Sequence, residues 1–527
     1  MAANTNTISV KSFTEQAAVV DCINTLENKF GKQGERLIVS DVLDEEGHQY
    51  VNLVQKGGGV LGVALVGYTY ILEKMGIRFI RLAGTSAGAI NTSLMTVIGA
   101  KKETAVIDGK EETIITGDKK IFKSEKILEV LCRLSFFDLV DGHPIARLLI
   151  KRFITKKDFT ANLKKWISGI FITLIALPVL DFICLGLQHQ LAVVSYFTKG
   201  FFVLTGFFIM LLAILIFYIS YLVKRLTDAG FGINPGDFFY DWIKAQMKEN
   251  NVESVSDLIA VASTSVPGIY LRGQREVHPE DLKGDVTFIA SEIVTKNKIE
   301  FPKMWSLFRK DMNDLQPAGF VRASMSIPIF FESYFINDIP CKDEKIKEAW
   351  KVLGEEDPPT TARFVDGGIL SNFPINLFYN PYVDVPRLPS FGIDLDDQKD
   401  AKKIFGDNGK LNKNSTTTDA TGKDATDDEG KNTQNWSFGG YMYRMFNTVR
   451  FYYDKDFLIK NTFFKKGIGI IPLKGYSWLN FFLDDKAKIE MFVIGARAAT
   501  KFLMDDFDWD DYKNRGVKLR NDLKDNN

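Results

Sequence analysis

The chain has 527 residues, several times the length of an average domain, so insertions or a second unit are expected. It carries 66 basic and 66 acidic residues, and this balanced charge argues against general nucleic-acid binding. Its four cysteines are scattered without metal-ligand spacing, which argues against a disulfide framework and suits a reducing compartment.

The chain begins with a short helical and polar lead-in over residues 1–46. Its first stretch, Met1–Phe13, contains no long apolar core, so a cleaved secretory signal is not expected. A short buried strand is then predicted at Tyr50–Val54, and an amphipathic helix at Gly62–Met75.

Three glycines, Gly57, Gly58 and Gly59, lie at the junction between that strand and that helix. Glycines there let backbone N–H groups turn toward one small anion, which in acyl transfer is the oxyanion of the tetrahedral intermediate. A nucleotide phosphate loop is the alternative, and it fits poorly because no Lys-Ser/Thr pair follows the glycines. We therefore predict an oxyanion hole made by the three glycines together with Ala87.

A second strand, turn and helix are predicted around Ser86. The apolar run Phe79–Ala83 leads into Gly84-Thr85-Ser86-Ala87-Gly88, and a helical segment follows at Ala89–Ile98. A serine at such an apex is exposed at the carboxyl end of a strand, where its hydroxyl can attack an acyl carbonyl. Gly84 and Gly88 support the turn because it leaves no room for side chains. The alternative is a glycine-rich turn with a passive serine.

A long apolar insertion follows a predicted helical stretch at Lys123–Phe153. Ile167–Leu187 is almost wholly apolar, Phe201–Val223 carries no charge, and about 13 residues separate the two segments. Roughly 20 apolar residues of helix span a bilayer core. The pattern predicts a two-helix transmembrane hairpin over residues 166–223, with a buried helical pair in a soluble core, or a shallower hairpin in one leaflet, as alternatives.

Charge predicts the orientation of this hairpin. Basic residues flank its two outer ends, whereas the loop between the segments holds only Lys199, so both ends and the catalytic domain are expected to face the cytoplasm. Aromatic residues near the boundaries would act as interfacial anchors. These residues are Trp166, Tyr196, Tyr218 and Tyr221.

Asp181 interrupts the first apolar segment. A charge inside a membrane helix is costly and usually functional. The other interpretation, which we favour, is a first helix kinked at Pro178 with Asp181 at the far interface.

Beyond the insertion, an amphipathic helix is predicted at Asp237–Lys248 and strands at Val286–Ala290 and Pro389–Ile393. Residues 406–435 are rich in Asn, Thr, Lys, Asp and Gly, so they are expected to form a disordered surface loop. Amphipathic helices are predicted in the remainder, an extension over residues 437–514 that packs on the catalytic domain.

A further predicted strand, Phe364–Asp366, ends in a carboxylate followed by Gly367 and Gly368. A serine hydroxyl needs a base to become nucleophilic. None of the chain's four histidines stands at a convincing strand end after the serine, so Asp366 is the better candidate; they are His48, His143, His189 and His278. The alternative is an ordinary turn aspartate that caps the loop.

The order of these three motifs, at Gly57–Gly59, Gly84–Gly88 and Asp366–Gly368, resembles the patatin-like phospholipases. The segments Arg322–Pro328 and Gly367–Pro374 also resemble those before and after the aspartate of that family. The resemblance implies a three-layer α/β catalytic domain over residues 47–396, with a central, mostly parallel sheet. The transmembrane hairpin predicted from hydropathy is an insertion that interrupts this domain.

The resemblance also implies a Ser86–Asp366 dyad that works without histidine, metal or cofactor. The expected activity is a membrane-anchored lipid acyl hydrolase of the phospholipase A or lysophospholipase type, acting through an acyl-enzyme. Its expected partners are the lipid bilayer and a phospholipid substrate. The alternatives are an inactive membrane-tethered scaffold and a soluble esterase acting on triacylglycerols or wax esters.

One position departs from the family pattern. The family usually carries Arg or Lys two residues past the third glycine, and this chain has Leu61 there. The change keeps the backbone donors and leans toward the scaffold interpretation, with Lys56 as a candidate substitute for the missing cation.

Overall fold

The computed structural model describes most of the chain. The described residues are 8–107, 110–144, 147, 159–187, 192–228, 230–274, 282–380, 386–405 and 438–525. The predicted loop over 406–435 lies outside them, as do His189 and His278.

The described helices alternate with strands along much of the chain. The helices are α1 (Val10–Thr14), α2 (Ala17–Phe30), α3 (Gly62–Lys74), α4 (Ala87–Val97), α5 (Ser124–Arg133), α6 (Phe159–Leu187), α7 (Ala192–Asp228), α8 (Asp237–Glu249), α9 (Val255–Ser263), α10 (Pro317–Ser324), α11 (Glu344–Lys351), α12 (Ala401–Phe405), α13 (Phe438–Lys460), α14 (Asp485–Lys501) and α15 (Trp509–Asp525). The strands are β1 (Val42–Leu43), β2 (Gln49–Gln55), β3 (Ile77–Thr85), β4 (Lys101–Ile107), β5 (Lys110–Thr116), β6 (Gly232–Asn234), β7 (Tyr270–Leu271), β8 (Asp285–Glu292), β9 (Asn297–Phe301), β10 (Ile329–Phe331), β11 (Tyr334–Ile336), β12 (Ala362–Asp366), β13 (Ser390–Asp396) and β14 (Ile468–Pro472).

The centre of the main sheet is parallel. Strands β14, β13, β2, β3 and β8 pair in that spatial order, all parallel, and antiparallel strands are added at the margins. Every residue of β2 is buried, as expected for a parallel strand that is covered on both faces. The expected mixed α/β fold with a central, mostly parallel sheet is confirmed.

The chain divides into two compact units. The first comprises Met1–Val140, Gly236–Pro328 and Ser333–Asn527, and it contains the main sheet. The second comprises Asp141–Pro235 and Ile329–Glu332, and it contains α6, α7 and the short parallel pair β6–β10.

The second unit gives the apolar insertion two long helices. Among the described residues one stretch, Phe202–Thr227, is long and apolar enough to cross a membrane, and the apolar part of α6, Phe171–Leu187, is shorter. Two membrane spans therefore remain a prediction. The loop expected between the two segments is wrong for its second half, because α7 begins at Ala192. Hydropathy marks where a helix is apolar and does not mark where it starts.

Asp181 has a partner that the sequence did not indicate. Its side chain is buried between α6 and α7, where its Oδ2 accepts a hydrogen bond of 2.5 Å from the Thr205 hydroxyl. The favoured interpretation, a first helix kinked at Pro178 with Asp181 at the far interface, did not include this contact.

Two other expectations about local structure are wrong, and one pair of strands was not predicted. The helix predicted from Lys123 to Phe153 is interrupted: α5 ends at Arg133, a 3₁₀ turn follows at Phe136–Leu139, and the chain is helical again at Pro144 and Arg147. Strands β4 and β5 form an unpredicted antiparallel ladder. The C-terminal extension supplies strand β14 as well as helices.

Candidate active site

Ser86 occupies a sharp turn between β3 and α4. Its backbone has φ 53° and ψ −119°, a conformation that a non-glycine residue adopts only where the surrounding structure imposes it. The Ser86 N–H donates to the Ser324 hydroxyl at 3.0 Å, and the Ser86 carbonyl accepts from Ile90 N–H. Packing also imposes the turn, since a β-carbon at Gly88 would overlap the Gln55 carbonyl.

The sheet register brings Asp366 to the same level as Ser86. Strands β3 and β12 pair one after the other with the same edge of β8, with Thr85 opposite Ile289 and Asp366 opposite the next residue, Ala290, while β9 occupies the other edge. The strand that carries Asp366 is antiparallel to β8, so the two candidate residues reach one point from opposite strand directions.

The Ser86 hydroxyl lies near the Asp366 carboxyl and favours its ionised form. The Asp366 Oδ1 accepts the Gly368 N–H at 2.7 Å. Burial raises the pKa of Asp366 above its ordinary value, while the Ser86 hydroxyl, the charge of Arg450 and the Gly368 amide oppose that rise. A buried carboxyl has a raised pKa and is therefore a stronger base, and these three groups favour its ionised form. Such a carboxylate can take a proton from the serine hydroxyl.

The glycine loop supplies backbone donors, with one correction. The Gly57 N–H donates to the Asn372 carbonyl at 3.0 Å, so it is not free to bind an oxyanion as the sequence predicted. The amides of Gly59 and Ala87 begin helical turns and have no partner within them. The Gly58 amide has no acceptor among the residues that the structure describes.

Leu61 and Lys56 do not place a cation on this loop. Leu61 is buried, and its N–H donates to the Gly58 carbonyl. The Lys56 ammonium donates to Asp394 at 2.6 Å and to the Leu395 carbonyl at 3.1 Å. Lys56 is therefore bound at the end of β13, which argues against its role as a substitute for the missing cation of the glycine loop.

Histidine does not enter the site in the part of the chain that the structure describes. His48 pairs with Asp44 at 3.0 Å, and His143 belongs to the second unit. Neither is among the hydrogen-bond partners of Ser86 or Asp366.

The sequence did not single out four polar residues that hold this site. Ser324 and Asn372 lie inside segments already noted for their family resemblance, so that resemblance was the available signal. Arg450 and Asp454 contact the loop after Asp366, and their spacing of four on α13 was the only sequence hint.

Comparisons with known proteins bear on the family to which this chain belongs. A family model of the patatin-like phospholipases matches residues 53–379. The uncharacterized protein YqhO of Bacillus subtilis (strain 168) is 58% identical over 41 residues, which are 8% of this chain and 14% of that protein. The chain thus matches only about a seventh of that curated relative.

One solved structure with detectable likeness is VipD from Legionella pneumophila. It is 14% identical, with a TM-score of 0.32, and the alignment covers 90% of this chain and 71% of that chain.

Proposed function

This chain belongs to the patatin-like phospholipase family, and we propose that it is a membrane-anchored phospholipase A or lysophospholipase that uses Ser86 and Asp366. Family membership supports lipid acyl hydrolysis as the general activity. The observation that carries the finer proposal is the sheet register, which sets the Ser86 turn next to the buried Asp366 at the end of β12, beside the amides of Gly59 and Ala87 that begin helical turns.

The proposed reaction begins when Asp366 takes the Ser86 proton and Ser86 Oγ attacks the ester carbonyl. The amides of Gly58, Gly59 and Ala87 then hold the negative charge on the former carbonyl oxygen. The C–O bond to the lipid alcohol breaks, and that alcohol leaves with the proton from Asp366. Water, deprotonated by Asp366, attacks the acyl carbon, the bond from that carbon to Ser86 Oγ breaks, and Oγ takes the proton back from Asp366 as the fatty acid is released.

The proposed site of action is a membrane surface, with the catalytic unit on the cytoplasmic side. Helix α7 supports the membrane location, because Phe202, Val203 and Phe217 are each at least 70% exposed. Large apolar side chains exposed along a helix of this length favour a lipid environment.

The test is hydrolysis of phospholipid vesicles by the purified full-length protein, compared with triacylglycerol emulsions. Wild-type protein is expected to release fatty acid and lysolipid from the vesicles, and Ser86→Ala is expected to lose this activity. Ser93→Ala is the matched control, because Ser93 lies in the same helix and, among the described residues, its hydroxyl donates to the Ile90 carbonyl. Full activity of Ser86→Ala would exclude the dyad, and hydrolysis of the emulsion alone would exclude a phospholipase.

A serine-directed fluorophosphonate probe separates the enzyme from an inactive scaffold. Labelling that requires Ser86 and persists in Ser93→Ala supports catalysis. A wild-type protein that remains unlabelled, while it is folded by thermal unfolding, would support the scaffold instead.

A further inference from the structure

Helix α13 lies outside the residues that match the family model, yet it contacts the loop that follows Asp366. Two of its side chains, Arg450 and Asp454, make these contacts. They are four residues apart, so they project from the same face of the helix one turn apart.

Arg450 binds two points of this loop. Its Nε donates to the Gly368 carbonyl at 2.7 Å, and its Nη2 donates to the Asn372 Oδ1 at 3.1 Å. A planar guanidinium can hold two acceptors at fixed separation, whereas an ammonium acts as a point charge. The same group is the charged neighbour that opposes the raised pKa of Asp366.

Asp454 binds the next part of the loop. Its Oδ1 accepts the Ser371 hydroxyl at 2.8 Å, and its Oδ2 accepts the Phe373 N–H at 2.8 Å. The carboxylate is 6% exposed, so these bonds are shielded from water. Together the two α13 side chains hold Gly368, Ser371, Asn372 and Phe373.

The loop in turn contacts both halves of the candidate dyad and the glycine loop. Gly368 donates to the Asp366 carboxylate, and the Ser371 carbonyl accepts the hydroxyl of Thr85, the neighbour of Ser86. The Asn372 carbonyl accepts the Gly57 N–H at 3.0 Å. A displacement of this loop would therefore move the base and the oxyanion donors relative to the serine.

We propose that Arg450 is a positioning residue of the active site, which fixes the loop behind Asp366 and keeps a positive charge beside it, while Asp454 anchors the helix that carries Arg450. This inference rests on the proposed function of Ser86 and Asp366. It assigns part of the active site to a helix outside the family-matched region.

The other charged groups near Asp366 are engaged elsewhere. On β8, Glu292 accepts the amides of Val294 and Thr295, and from α10 the Arg322 guanidinium donates to the Ser326 hydroxyl. Lys56, before the glycine loop, is bonded to Asp394. Arg450 is the charged group that acts on the pKa of Asp366.

The test compares fluorophosphonate labelling rates and ester hydrolysis across pH for wild-type, Arg450→Gln and Arg450→Lys. Lys455→Gln is the matched control, since it removes the same charge from an exposed position on the same helix. Arg450→Gln is expected to lower kcat about tenfold or more with little change in KM, because misplaced catalytic groups reduce rate rather than substrate binding. The acidic limb of the pH–rate profile of Arg450→Gln is expected at higher pH than that of wild-type. Arg450→Lys, which restores the positive charge, should return the limb toward the wild-type pH.

If the probe labels the wild-type protein and the pH profile of Arg450→Gln equals that of wild-type, this inference is overturned and the proposed function is left intact. A shift of equal size in Lys455→Gln would also overturn it, since the effect would then be one of net charge. Absence of Ser86-dependent labelling in the folded wild-type protein would overturn the proposed function and this inference together.

Discussion

Asp366 has to be ionised to accept a proton, although it lies in a buried position that disfavours charge. Burial raises its pKa, so its loss of function on acidification should begin at a higher pH than for an exposed aspartate. We predict that kcat/KM for a soluble ester falls as the pH is lowered through this raised pKa, and that Asp366→Asn is inactive throughout. Initial rates from about pH 4 to about pH 9 measure this. A rate that increases toward acid would contradict a base role.

Ser324 supports the strained turn at Ser86 through one hydrogen bond to its amide. Ser324 is fully buried, so Ser324→Ala would leave that N–H without a protein partner at a cost of about 1–3 kcal/mol. We predict a labelling rate about tenfold lower than wild-type, because an increase of roughly 1.4 kcal/mol in the activation free energy lowers a rate tenfold. Ser93→Ala provides the comparison, and equal rates for the two variants would contradict this role of Ser324.

The reacting side chains could be predicted at the scale of residues, and their supports could not. Ser86 and Asp366 sit in short motifs whose glycines are needed locally, so the motifs are visible in the sequence. The prediction that the Gly57 amide binds the oxyanion was wrong, because that amide is bound by Asn372, 315 positions away. Arg450 lies 82 positions from Gly368, and no local pattern marks which loop a helical arginine will contact.

At the scale of elements, local patterning predicted the strands and helices around the site. The predicted strands at 50–54 and 79–83 correspond to β2 and β3, and the predicted helices after them correspond to α3 and α4. Strand β14 was missed because a five-residue apolar segment within a helical region has no distinctive period. The β4–β5 ladder could have been predicted, since Asp-Gly stands between its strands in the sequence and this dipeptide is typical of a β-hairpin.

Helices α3 and α14 pack through a close backbone approach, which predicts a sensitivity to side-chain volume. A β-carbon at Gly495 would overlap the Ala64 carbonyl, so the helices would have to separate. We predict that Gly495→Ala lowers stability by about 1–3 kcal/mol, seen as a lower thermal unfolding midpoint. Gly169→Ala is the control, because a β-carbon there meets no neighbouring atom. A midpoint equal to that of the control would contradict this packing account.

The anchoring of α13 by Asp454 predicts a pH-dependent stability. Burial raises the pKa of Asp454 to about 6, against the opposing effect of its bonds to Ser371 and Phe373. Between about pH 4 and pH 6 the folded protein binds this proton more tightly than the unfolded chain, so its contribution to stability falls as pH rises.

Asp454→Asn removes this titration and keeps a side chain of the same shape. We predict that Asp454→Asn becomes more stable relative to wild-type as the pH rises from about 4 to above 6, by at most about 3 kcal/mol in the free energy of unfolding. Thermal unfolding of both proteins at matched ionic strength measures the difference. A difference that is constant across this pH range, or that changes in the opposite direction, would contradict the raised pKa.

At the scale of the whole molecule, the site draws on distant parts of the chain. Its base and nucleophile lie within residues 53–379, the family-matched region, while α13 and strand β14 come from the C-terminal extension. Hydropathy predicted the apolar insertion, because a long apolar run is a property of consecutive residues. The contribution of the extension depends on tertiary contacts, which consecutive residues do not encode.

The insertion leads to a prediction about where the whole protein resides. Leu211 and Leu215 lie near the middle of the apolar stretch Phe202–Thr227, and both side chains are exposed. An arginine at the centre of a membrane helix costs about 2.5–3.5 kcal/mol on insertion scales, so Leu211→Arg with Leu215→Arg should weaken membrane integration. The measurement is alkaline extraction of membranes from cells that express each protein, with wild-type expected to remain in the pellet and the double variant to be extracted. Ile38→Arg with Val352→Arg is the charge-matched control, because these exposed positions lie in the first unit. Extraction of the wild-type protein itself, or retention of the double variant to the same extent as wild-type, would exclude α7 as a membrane-spanning anchor.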